Sequence, residues 1–306
     1  MSAGKNEPAI VKCKEMIATD PDFYIAYERI VTASKNAGAL NEARTFFMQL
    51  SKRVPENPYS YYGLGLVEQE NEEYPSAIKN FKQTIALQAG FIPAYLALVD
   101  AYLKNDQAAA AEQYFTSLVT SDSGNAAGYL ALGYLHRKNR EWEQALQFLD
   151  LTIERDPKIA ETYHQKGHLY YSLSEYDQAL NSLQIALNMV RKEPFAEHEG
   201  RLLGILGLTQ WNLDQYEAAL NSFRQAVDIL LKTGDRTYEG VVLGNTGLVY
   251  MYQWNYPRAL EYFQKAIQVH RETGYRIAEG LTLNNIGLIY LNSSNYQKSL
   301  DYFQQA

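Results

Sequence analysis

One cysteine, Cys13, stands in 306 residues. That excludes an intrachain disulfide and a thiolate metal cluster. Proline is scarce at 9 residues, and no stretch approaches the ~20 uninterrupted apolar residues that a membrane helix needs. The opening Met1-Ser-Ala-Gly-Lys-Asn-Glu-Pro8 has no apolar core of a secretory signal, so a cytoplasmic location is expected. Positive charge is also short: Lys+Arg is 28 against Asp+Glu 35, a net charge of −7. A general grip on nucleic acid, which needs clustered positive charge, is therefore not expected. Phosphate-loop and His-Glu-x-x-His patterns are missing, and Gly63-Leu-Gly65 lies inside a helical pattern, where it reads as packing.

What the chain does have is tyrosine, 25 residues, and a period. Ala43, Ala77, Ala111, Ala145 and Ala179 are each 34 residues apart, and Ala219, Ala259 and Ser299 follow at steps of 40. Four residues after each stands a bulky apolar residue: Phe47, Phe81, Phe115, Leu149, Leu183, Phe223, Phe263 and Phe303. Twelve residues before each stands a small or branched one, most often glycine, as at Gly65, Gly133, Gly207, Gly247 and Gly287. Within each unit, apolar positions recur at i, i+3, i+4 and i+7, one face of a helix, in two segments separated by a short polar break. The small residue of the first helix is expected to face the alanine of the second and let the two axes approach closely. Pro75 and Pro257 fall in the first turn of a second helix, while Pro21, Pro55 and Pro157 follow one. No alternation of period two persists, so strands are not expected.

With Tyr129-Leu-Ala-Leu-Gly133, then Ala145, Leu149 and Pro157, the sequence resembles the tetratricopeptide repeat family over residues 24–306. Glu68, His136 and Gln210 stand where the family has tyrosine. The resemblance implies an all-α fold, a right-handed α-solenoid of antiparallel helix pairs. It divides the chain into an N-terminal half-repeat or cap (1–23), five units of the 34-residue type (24–199, the last with an extended loop), and three of the 40-residue type (200–306, the last incomplete). The 40-residue block resembles the subtype of the kinesin light chain, the LGN polarity protein and bacterial signalling proteins. One continuous solenoid with a change of pitch near residue 195 is expected, its extra residues lengthening the flanking helices by about a turn. Thr233-Gly234 and Thr273-Gly274 read as helix ends.

Residues with catalytic or metal-binding chemistry are few. His164 and His168, at i and i+4, share a helix face, but no third zinc ligand is near in sequence, and they read as polar groove residues. His136 reads as a satisfied core histidine, and Cys13, on an apolar face, as an inert buried thiol. No catalytic residue, metal or cofactor is expected, and the chain is read as a non-enzyme. Tyr27 through Tyr163 read as core. Of the neighbouring pairs Tyr61-Tyr62 and Tyr170-Tyr171, the second members read as groove residues, because neighbours on a helix point about 100° apart.

In the family, the first helices line the concave surface. The resemblance therefore assigns a peptide-binding groove to Tyr134, Arg137, His164, Gln165, His168 and Tyr171, and farther along to Arg201, Trp211, Asn245, Met251, Asn284 and Asn285. Gly204 and Gly244 fall on the same line, where a ligand could approach the backbone. The carboxylate clamp of the family's co-chaperones is missing, its positions holding Glu28, Thr32, Gly63, Pro93 and Ala97. Arg137 and Arg201 suggest an acidic stretch in the ligand. The expected function is a protein-interaction scaffold binding a peptide or partner segment. Its alternative is the N-terminal regulatory region of a larger signalling enzyme (kinase, cyclase or caspase-like peptidase) cut after residue 306. Self-association through an open C-terminal end, where Leu300 and Phe303 lack a partner helix, is a third reading.

Overall fold

The computed structural model describes residues 3–192 and 198–306. Among the described residues there are seventeen helices and no strand, so the chain is an all-α helical-repeat protein. The change of pitch expected near residue 195 and the extended loop fall on residues 193–197, outside the described residues. By contact the chain divides into two compact units, 1–169 and 170–306.

In the first unit, α1 (Ala3–Thr19) packs on α2 (Tyr24–Ala37), burying Cys13 and Ile17. Helix pairs follow: α2 with α3 (Leu40–Arg53), α4 (Pro58–Glu70) with α5 (Tyr74–Leu87), α6 (Ile92–Lys104) with α7 (Ala108–Ser121), and α8 (Ala126–Lys138) with α9 (Trp142–Arg155). The unit closes on α10 (Ala160–Ser172), most of which belongs to it. The second unit begins in the last turn of α10 and continues with α11 (Tyr176–Val190). Three pairs follow: α12 (Glu199–Asn212) with α13 (Tyr216–Thr233), α14 (Arg236–Tyr252) with α15 (Tyr256–Thr273), and α16 (Arg276–Asn292) with α17 (Tyr296–Gln305). The 40-residue spacing lengthens the helices as expected: α13 and α15 run 18 residues, against 14 in α3 and α5. Gly234 and Gly274, both left-handed, end them.

The columns have a packing reason, and it differs in one respect from the expected one. The residue that fills the space over the first-helix glycine is the bulky one, not the alanine. A Cβ on Gly65 would lie 2.5 Å from the Phe81 ring, on Gly133 2.9 Å from Leu149, and on Gly247 2.6 Å from Phe263. The alanine serves the complementary need of a fully buried small side chain, and Ala77, Ala145 and Ala259 are 0% exposed.

A second column shows only in the backbone. The first helix of each pair ends on a left-handed residue: Gly38 first, then Glu72, Asp106, Arg140, Ser174, Asp214, Trp254 and Ser294, with φ between 54° and 64° at the non-glycines. The next N–H reaches back to the carbonyl five residues earlier, as in Glu73 to Glu68, Glu141 to His136 and Asn255 to Tyr250, at 2.8–2.9 Å. This satisfies carbonyls that a helix end leaves without partners. Prolines 58, 75, 93 and 257 sit in first turns, where the missing N–H costs little. Asn57, Asn125, Asn255 and Asn295 cap helices through their side chains.

Candidate functional site

Successive first helices lie side by side, so residues 34 or so apart on them become neighbours. In the first unit this builds a polar network. Tyr134 of α8 donates its hydroxyl to both carboxylate oxygens of Asp100 of α6 at 3.0 Å, and Lys138 pairs with the same carboxylate at 3.3 Å. The guanidinium of Arg137 lies 5.3 Å from the Tyr134 ring centre, and its Nε donates to Gln165 Oε1 of α10 at 2.8 Å. Gln165 Nε2 donates in turn to Glu161, whose other oxygen meets His164 Nδ1 at 3.2 Å. The His164 and His168 rings stand 4.9 Å apart.

Burial sets the charges here. Tyr134 is pushed well above the ordinary tyrosine range by burial, and the Asp100 carboxylate adds to it. Burial lowers Arg137. Arg137 forms no ion pair among the described residues. His168 is held well below 6.5, by burial first and then by the charge of His164, so it is neutral at pH 7. His164 Nε2 is buried with no hydrogen-bond partner among the described residues. Among the described residues, no group of three or more His, Cys, Asp or Glu side chains could hold a metal ion.

The second unit is built differently. Arg201 of α12 is already neutralised: its guanidinium meets Asp235 at 2.7 Å. Gly204 is not open to a ligand, because the Tyr238 ring fills its place, 2.8 Å from where a Cβ would stand. Gly244 does have room, with nothing nearer than 3.9 Å. On the first helices α12, α14 and α16, Leu208, Trp211, Asn245, Leu248, Met251, Asn285 and Leu288 are half-buried and Asn284 is exposed. The side-chain amides of Asn245, Asn284 and Asn285 make no hydrogen bond among the described residues. Tyr171, at the end of α10, meets Tyr176 at 5.7 Å and accepts from Asn212 at 3.4 Å.

Sequence models of the tetratricopeptide repeat match residues 103–166, 158–232 and 238–306. The chain belongs to the tetratricopeptide repeat family. It is 23% identical over 109 residues to Superkiller complex protein 3 of Homo sapiens, and 23% over 103 residues to that of Mus musculus, spanning 7% of the length of each. Its fold is similar to that of a chain in the APC/C hetero-tetramer Cut9–Hcn1, with a TM-score of 0.59 at 17% identity, over 88% of this chain and 52% of that one. It is also similar to IFIT1 solved as a monomeric mutant with Gppp-AAAA, with a TM-score of 0.56 at 14% identity, over 98% of this chain and 75% of that one. These likenesses concern the fold. The repeat is typically a scaffold for protein–protein interaction.

Within this tetratricopeptide-repeat chain, the structure brings five of the expected groove residues into one network: Tyr134, Arg137, His164, Gln165 and His168. Two of the five are buried, Tyr134 at 8% and Gln165 at 4% exposed, so they hold their neighbours and present little surface. Tyr62 is likewise 4% exposed, packed on Phe81 and Phe91 with its hydroxyl on Glu28 at 2.7 Å. His136 stacks on Phe148 and bonds Glu141 through Nδ1, yet its Nε2 has no hydrogen bond among the described residues. Asp100, Glu161 and Tyr252 escaped the sequence reading. A signal for the first existed: a carboxylate 34 residues before a tyrosine on a first helix, as Glu28 precedes Tyr62 and Asp100 precedes Tyr134, places the two side by side.

Proposed function

We propose that the chain is a non-enzymatic, cytoplasmic interaction scaffold whose first helices hold an extended peptide or partner segment. The observation that carries this reading is the pair Asn245 and Asn285. They stand 40 residues apart at the same place in successive units, with amides that nothing in the described chain satisfies. An amide donates to a carbonyl and accepts from an N–H at once, so it pairs with peptide backbone regardless of sequence. Trp211, Leu248, Met251 and Leu288 would then select side chains, and Asn284 and Gly244 extend the same face. In the first unit, Arg137 and His164 are the members with hydrogen-bonding capacity to spare, and His168 borders His164; Tyr171 belongs to the second unit. An acidic ligand residue suits Arg137, which is half-buried and forms no ion pair among the described residues. Arg201, paired with Asp235, no longer supports one. The net charge of −7 favours a protein partner over nucleic acid.

The test is calorimetric titration of a partner recovered on the immobilised chain. Replacing Asn245 and Asn285 together by alanine should weaken binding by roughly 1–3 kcal/mol, the cost of leaving buried polar groups unpaired, with an unchanged unfolding temperature. Unchanged affinity would remove the asparagine ladder from the contact.

A further inference from the structure

The turn-side end of the second unit carries chemistry that the asparagine ladder does not use. Trp211, at the end of α12, meets Tyr252, at the end of α14, edge to face, with ring centres 5.2 Å apart and planes at 76°. Tyr216, which opens α13, donates its hydroxyl to Asp214 Oδ1 at 2.7 Å. That hydrogen bond raises the Tyr216 pKa, and the Asp214 N–H donates to the Trp211 carbonyl at 3.0 Å, so the two pairs adjoin at one helix end. Tyr252 is 61% exposed, which packing alone does not explain. Asp214 is exposed at the left-handed end of its helix, φ 58°, and its Oδ2 has no bond among the described residues. Neither Asp214 nor the nearby Glu217 forms an ion pair among the described residues, and residues 211–218 contain no Lys or Arg.

Aromatic faces are electron-rich and attract cations, more strongly when a carboxylate stands beside them. We propose that this cluster docks an arginine of a partner's peptide segment, the guanidinium lying on Tyr252 and Trp211 and pairing with Asp214 Oδ2. Arginine fits better than lysine because its planar fork stacks on rings, is weakly hydrated and matches a carboxylate in two bonds. The uncompensated charge of Asp214 and Glu217 repels an acidic segment. The site does not rest on the asparagine ladder: only Trp211 is shared, and failure of the Asn245/Asn285 test leaves it standing.

The test uses the 306-residue chain with its tryptophans 19F-labelled; there are three, and Trp142 lies far away in sequence. The probe is the amidated pentapeptide acetyl-Gly-Ser-Arg-Ser-Gly, with counterparts carrying Lys or Glu in place of Arg. The arginine probe should shift the Trp211 resonance saturably and leave Trp142 in place. Asp214→Asn and Tyr252→Ala should each weaken the binding at least fivefold. Both positions are exposed, and asparagine tolerates the left-handed backbone, so circular dichroism should match the parent. Asp301→Asn, which removes the same charge elsewhere in the unit, should leave binding intact. The proposal is overturned if no saturable shift occurs, if the lysine or glutamate probe binds as tightly, or if Asp301→Asn costs as much as Asp214→Asn.

Discussion

A Cβ built on Gly207 would stand 2.5 Å from Cε1 of Phe223. The glycine therefore makes a socket for the phenylalanine of its own helix pair, and Phe223, 0% exposed, cannot yield without moving its neighbours. Gly207→Ala should destabilise the second unit by about 1–3 kcal/mol, the usual range for overpacking. Phe223→Leu in the same chain should return part of the loss. Gly244→Ala is the contrast: nothing lies within 3.9 Å, so gaining alanine in a helix interior should stabilise by about 0.5–1 kcal/mol. Urea midpoints of the three variants against the parent check both signs.

Trp254 pairs a left-handed backbone, φ 60°, with a ring that is 75% exposed. A side chain there costs roughly 1–2 kcal/mol that glycine avoids. Trp254→Gly and Asp106→Gly should each raise stability by up to about 1 kcal/mol, since the unfolded state of glycine is also more entropic. Thermal unfolding that falls by the same amount in both would show that these side chains brace the turn.

His168 is depressed below 6.5 in the folded chain. As pH falls through 6.5, the unfolded chain takes up a proton that the folded one refuses, so stability drops below that pH and stops dropping only at the lower folded value. The groups facing it, His164, Glu161, Arg137 and Lys138, set that value. Between pH 6.5 and 5.5 the loss should approach at most about 1 kcal/mol from this residue. His168→Gln should flatten that part of a stability-against-pH curve, and an unchanged slope would assign the acid sensitivity to other groups.

Phe303 is 36% exposed where Phe223 and Phe263, at the same place in their units, are 0%. Leu300 beside it is 51% exposed. With less apolar burial behind its hydrogen bonds, α17 should exchange its amide hydrogens faster than α13 and α15, since local opening costs less where few apolar contacts are lost. Equal protection in the three helices would contradict this. Loss of the difference with rising protein concentration would point to self-association through this face.

The helix pairs were legible in the sequence because a repeat must satisfy the same packing problem eight times, and each column records one term of it. Ala219, Phe223 and Gly207 recur in register because the close contact of two helices tolerates little else. The line of first-helix residues, Asn245 and Asn285 among them, came from the family resemblance laid on that register. The sequence by itself did not tell which of those residues still reach solvent. Tyr134 and Gln165 sit on the expected line, but Asp100, Lys138, Arg137 and Glu161 close over or around them. Arg201 sits on it too and is spent on Asp235. Each of these outcomes depends on a residue some 4 to 34 positions away being swung alongside, which a column of similar residues does not encode. Whether a polar side chain binds its neighbour or waits for a ligand is a competition between nearby groups. Only the packed arrangement of successive helices decides that competition, because it alone sets which donors and acceptors fall within hydrogen-bond distance.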